Sequence, residues 1–121
     1  MTLFLQTLMK IFLSHSSRQK PLVREIRNNF PEHIRSWIDE QNLLIGASIE
    51  SSLSTTIKED TDFVILFVDS HAVRSGWIQK ELEWALEREE KLNRPFILPV
   101  LIEPEAWAEL QPARFRMRKY V

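Results

Sequence analysis

Trp77 and Glu81 stand four residues apart in Ser75-Gly76-Trp77-Ile78-Gln79-Lys80-Glu81-Leu82, a stretch that reads as the opening of a helix. That spacing puts an indole and a carboxylate on one helical face. An aromatic platform beside an acid suits a cationic ring carried on a sugar, because the ring stacks and the acid meets ribose hydroxyls or developing positive charge. The same pair also reads more simply, as a core-anchoring tryptophan followed by a solvated glutamate.

The pair follows the apolar run 63–68, which has no polar alternation and predicts a central strand covered on both faces. A helix from about residue 76 to 91 comes next, burying Ile78, Leu82, Ala85 and Leu86. Its Glu83, Glu87, Arg88, Glu89, Glu90 and Lys91 read as a mostly wet surface with local ion pairs. Upstream, residues 10–14 predict a first strand, followed by the polar loop His15-Ser16-Ser17-Arg18. A helix over 21–29 has Pro21 in its first turn and an apolar stripe of Leu22, Val23, Ile26 and Phe30. Residues 34–38 predict a second strand, closed by Asp39-Glu40. Beyond Gly46, Ser48 can cap a helix in which Ile49, Leu53 and Ile57 recur every four residues.

A fourth strand over 96–102 is interrupted by Pro99, which calls for an edge, a bulge or a strand end. After an irregular return, residues 117–121 predict a fifth strand, and the chain ends before a covering helix. That ending implies a compact variant or a segment of a longer protein. Arg114, Arg116, Arg118 and Lys119 read as a solvated tail. The alternation of strand and helix gives a parallel α/β sheet with helices on both faces. In such folds ligands bind beyond the carboxyl ends of the strands, where the loops 14–18, 39–46 and 69–77 gather the polar residues.

With 121 residues the chain makes one domain around one core. Sixteen basic against 17 acidic residues gives no reason to propose a nucleic-acid partner. The absence of cysteine removes disulfides, thiol catalysis and cysteine zinc sites, and fits a cytoplasmic setting. Residues 1–9 form an N-terminal flank, too short to span a membrane and without the pattern of a targeting signal; the domain proper is 10–121.

Several chemistries are excluded. Gly46 and Gly76 are the only glycines, so neither a dinucleotide fingerprint nor a Walker phosphate loop can be written. His15 between Ser14 and Ser16 lacks a nucleophile elbow. His15, His33 and His71 match no local metal-binding pattern, and no metal is expected. The first loop also lacks the acids of a phosphorelay receiver and the Thr- and Gly-rich phosphate cradle of a flavodoxin.

Taken in order, Lys10-Ile11-Phe12-Leu13-Ser14-His15-Ser16-Ser17, then Trp37-Ile38-Asp39-Glu40 and the loop ending at Gly46, then Asp62-Phe63-Val64-Ile65-Leu66-Phe67-Val68-Asp69-Ser70 and Ser75 through Leu82, resemble a Toll/interleukin-1 receptor (TIR) domain of the bacterial kind. The resemblance implies a flavodoxin-like three-layer sandwich with a five-stranded parallel sheet in the order 2-1-3-4-5. It further implies NAD+ as a substrate rather than a cofactor. Cleavage at the nicotinamide–ribose bond would give nicotinamide and either ADP-ribose or a cyclic ADP-ribose.

On this resemblance Glu81 matches the family's catalytic glutamate and Trp77 the aromatic residue before it. His15, Ser16 and Ser17 match first-loop substrate contacts, and Asp39 the acid after the second strand; Ser16 and Asp39 also read as ordinary loop or cap residues. The segment 39–48 matches the mobile BB loop, whose apolar tip Leu43, Leu44, Ile45 before Gly46 suits contact with other TIR domains. Partners so implied are further copies in a homo-oligomer and a fused or separate sensor module, in a role such as antiphage defence. Where active animal members have a basic or aromatic first loop, this chain has Ser16 and Ser17, and Ile78 replaces the cysteine after the tryptophan. The competing class is a non-catalytic TIR scaffold in signalling.

Overall fold

The computed structural model describes residues 8–38 and 52–117. In chain order these form β1 (Met9–Ser14), α1 (Lys20–Asn28), β2 (Ile34–Ile38), β3 (Phe63–Val68), α2 (Gly76–Leu92), β4 (Ile97–Leu101) and the short α3 (Ala113–Arg116). Single turns of 3-10 helix open the approach to α1 at Ser17–Gln19 and to α2 at Ala72–Arg74. Residues 52–60 are helical and finish in π geometry over Thr56–Asp60.

The four strands form one parallel sheet in the order β2-β1-β3-β4. β1 therefore lies between β2 and β3, as expected for a flavodoxin-like sheet, and β3 is interior, bonded to β1 on one side and β4 on the other. The expected fifth strand lies, beyond Met117, outside the described residues. So do the expected helix start at Ser48 and Ile49 and the whole loop from Asp39 to Gly46.

The alternation of side chains along each strand divides the core in two. Ile11, Leu13 and Phe67 face α1 and pack with Val23. Phe12, Val64, Leu66 and Val68 face the other way, onto Ile78, Leu82, Ala85 and Leu86 of α2 and onto Ile57. Helices thus cover both faces of a sheet whose central strands are apolar on each side, which is why β3 showed no alternation in the sequence.

β4 is the outermost strand on its side among the described residues. Pro99 stands opposite Leu66 in an unbroken register, and Leu98, Val100 and Leu101 are 40% to 43% exposed. A proline whose missing N–H would face away from β3 is tolerated there, so among the described residues Pro99 sits on an edge strand.

Two surface assignments are corrected. Glu89 is only 1% exposed, and its Oε2 accepts hydrogen bonds from the backbone N–H of Phe96 at 2.9 Å and of Ile97 at 3.0 Å. Instead of facing water, it ties α2 to the first residues of β4. The described part of the arginine cluster is not a loose tail either: Arg114, with its side chain 53% exposed, reaches Glu83 at 3.1 Å and Glu90 at 3.6 Å, while Arg116 Nε donates to the Leu110 carbonyl at 3.0 Å. Phe115 beneath them is buried edge-on to Trp107, with ring centroids 5.5 Å apart. Arg118 and Lys119 lie outside the described residues.

Candidate functional site

The carboxyl ends of β1 and β3 and the first turns of α2 meet at one end of the sheet. Ser75 starts α2: its backbone is extended and its hydroxyl accepts from the Ile78 N–H at 3.2 Å, satisfying one of the open donors of the first turn. This cap fixes where the helix begins, and hence where Trp77 and Glu81 project.

Glu81 is 1% exposed, which corrects the solvated reading. Its Oε1 accepts a 2.7 Å hydrogen bond from Ser14 Oγ across 67 residues of sequence. The strand pattern explains the meeting: Ser14 is in phase with Phe12, so it points to the α2 face, and it is the last residue of β1. Trp77 lies one turn before Glu81, half-buried, with its ring edge-on to Trp84 at 6.2 Å and the Lys80 ammonium 5.9 Å from its centroid. An indole held on one side by a second indole and approached by a cation has a restricted orientation.

The opposite face of the same sheet end is organised by Asp69, which directly follows β3 and is fully buried. It accepts from Ser16 Oγ at 2.8 Å, Gln19 Nε2 at 2.9 Å and the Ala72 N–H at 2.7 Å. Burial by itself raises the Asp69 carboxyl. The bonds from Gln19, Ala72 and Ser16, with the charge of His71, outweigh burial and hold the group below its ordinary value. Ser16 is therefore spent on fixing the first loop to the third. His15 is also buried, with Nδ1 3.0 Å from the Leu13 carbonyl oxygen, whereas Ser17 is exposed at the start of the 3-10 turn.

A folded-state pKa below the unfolded one contributes stability above about pH 4, lost as pH falls through the lower folded value. Asp69→Asn is thus expected to be about 1–2 kcal/mol less stable than the parent at pH 7, with a smaller gap at about pH 3, below the ordinary carboxylate value. Thermal melts of both proteins at the two pH values check this; an equal gap at both removes the ionised Asp69 from the account.

The structure brings Glu81, Ser14 and Trp77 to one end of the sheet and places His15, Ser16 and Ser17 in the loop that leaves it. Asp39 and the tip Leu43, Leu44, Ile45, Gly46 lie outside the described residues. Ser14 and Asp69 are the two residues that motif reasoning passed over. Each had a sequence signal: a serine in phase with a core phenylalanine, and an acid closing an apolar strand three residues before the start of a turn. Among the described residues no three His, Asp or Glu side chains are grouped to hold a metal ion, and no helix is long and apolar enough to cross a membrane.

The family profile described as TIR domain matches residues 11–121. A search of curated proteins finds no match.

Proposed function

We propose that this chain, which belongs to the TIR-domain family, cleaves NAD+ at the nicotinamide–ribose bond. The observation that carries this reading is the buried Ser14–Glu81 hydrogen bond at the carboxyl end of the sheet, with Trp77 one turn away.

Nicotinamide leaves NAD+ as a neutral molecule, so the positive charge of its ring moves onto the ribose as the glycosidic bond breaks. A carboxylate fixed beside that carbon stabilises the oxocarbenium-like centre, as in other glycosyl transfers. Glu81 is the residue proposed for this role, and Trp77 frames the nicotinamide side. Water then adds to the ribose carbon and releases a proton, giving ADP-ribose; attack by an adenine nitrogen of the same molecule gives a cyclic ADP-ribose instead. His15, Ser16, Ser17 and Asp39 are proposed substrate contacts. The bonding of Ser16 to Asp69 gives Ser16 a supporting part in the loop as well.

A side chain only 1% exposed reaches a ribose after the chain around it shifts, which accords with activation by self-assembly. The experiment is direct: incubate the protein with NAD+ at concentrations that promote assembly and follow nicotinamide and ADP-ribose by chromatography. Nicotinamide release is expected. An assembled, folded protein that releases none is a scaffold, the second reading, which the apolar Leu43-Leu44-Ile45 tip favours.

On either reading that tip contacts another TIR domain. Leu44→Asp is expected to weaken self-association at least tenfold, through desolvation of a new charge, while the monomer keeps its melting temperature. Sedimentation of both forms at matched concentration checks it, and unchanged association removes the tip from the interface.

A further inference from the structure

We infer that Ser14 is a positioning residue for Glu81, holding its carboxylate in the single orientation from which it meets the ribose; this rests on the NAD+ cleavage proposed above. Ser14 occupies a position whose pattern asks for an apolar side chain. Phe12, two residues earlier on the same face of β1, is fully buried in the α2-side core, and Leu66, opposite Ser14 in the register, is 1% exposed. A hydroxyl there loses its water and must find a partner within the protein. The partner is a glutamate on the core-facing stripe of α2, where Ile78, Leu82 and Ala85 are the neighbours in phase.

A fold selected only for packing has a cheaper solution for these two positions. Exchanging a buried polar pair for apolar side chains of similar volume is commonly neutral or stabilising, because neither group then has to be desolvated. Two polar side chains that are costly apart and bonded to one another across 67 residues of sequence, at the sheet end where α/β domains take ligands, point to a role in chemistry. The physical effect of the bond is on orientation. A glutamate has three side-chain torsions, and a 2.7 Å hydrogen bond from a hydroxyl rooted in the central sheet removes most of that freedom before substrate arrives. Since Ser14 acts through Glu81 and not on the sugar, its loss falls on the chemical step more than on binding.

The test compares steady-state NAD+ cleavage by the parent, Ser14→Ala, Ser14→Thr and Glu81→Gln in the full chain under assembly conditions, with melting temperatures measured in parallel. Ser14→Ala is expected to lower kcat by about 10- to 100-fold with KM changed less than about threefold. Ser14→Thr, which keeps the hydroxyl, is expected to recover most of the lost kcat. A folded Ser14→Ala protein with the parent's kcat overturns the inference while Glu81→Gln remains inactive and the cleavage reading stands. A loss in Ser14→Ala that Ser14→Thr fails to recover, although it folds, also overturns it. A parent without turnover, or a fully active Glu81→Gln, overturns the cleavage reading itself and the inference with it.

Discussion

Glu81→Gln should slow nicotinamide release by two or more orders of magnitude while leaving a folded protein. The amide is nearly the size of the carboxylate and its oxygen can still accept the Ser14 hydroxyl, so the pocket's shape is kept. What disappears is the negative charge facing the ribose as the glycosidic bond breaks, and preorganised charge of this kind commonly contributes a hundredfold or more to rate. Stability does not escape untouched. A glutamate on a pocket rim would tolerate the exchange at no cost, but Glu81 is 1% exposed, and the new amide N–H group has to be accommodated out of water. A loss of roughly 1–2 kcal/mol is expected from burying such a group. Product chromatography and a melt on the same preparation measure both effects, and a folded Glu81→Gln protein with the parent's turnover removes Glu81 from the mechanism.

The sheet was legible in the sequence because its strands are apolar runs of the right length between polar loops. β2 and β3 have the bounds the pattern predicts, and α2 begins at its Ser75 cap. Misjudgements arose where residue type was given more weight than position. Glu81 and Glu89 look like surface residues by chemistry, yet residues 78, 82, 85 and 89 fall on one stripe of a 3.6-residue helix, with 81 at its border. Both glutamates are buried because each finds a donor outside α2: the Ser14 hydroxyl, 67 residues away, in one case and the backbone N–H groups of Phe96 and Ile97 in the other. No local helical pattern announces such donors, since they lie outside the helix, and the Ser14 hydroxyl reaches Glu81 only through the crossovers of the sheet. Arg114 of α3 was misjudged for the same reason, its partners Glu83 and Glu90 lying on α2, with Glu83 31 residues away.

The sharper consequence concerns Glu89. Its Oε2 receives two backbone N–H groups, and each charge-assisted bond of this kind contributes about 1.5–3 kcal/mol, with a further penalty when a buried donor is left unpaired. Glu89→Ala is therefore expected to lower stability by about 3 kcal/mol or more, a large part of the 5–15 kcal/mol that holds a typical domain. Glu89→Gln, which retains an acceptor oxygen without the charge, should lose about half as much. Urea unfolding of the three proteins measures this, and a Glu89→Ala protein within about half a kcal/mol of the parent means the two N–H groups find water or another acceptor. Comparison with Glu81 then separates two roles on one helix. Both carboxylates are buried to the same 1%, so burial alone predicts similar behaviour. Glu89 holds backbone N–H groups at the start of β4, away from the ligand end of the sheet, and its replacement should cost stability while sparing turnover per folded molecule. Glu81 engages a side chain at the ligand end of the sheet, and its replacement should cost turnover far more than stability. If the two substitutions instead lower stability and turnover in the same proportion, Glu81 is one more packing residue and another group stabilises the ribose.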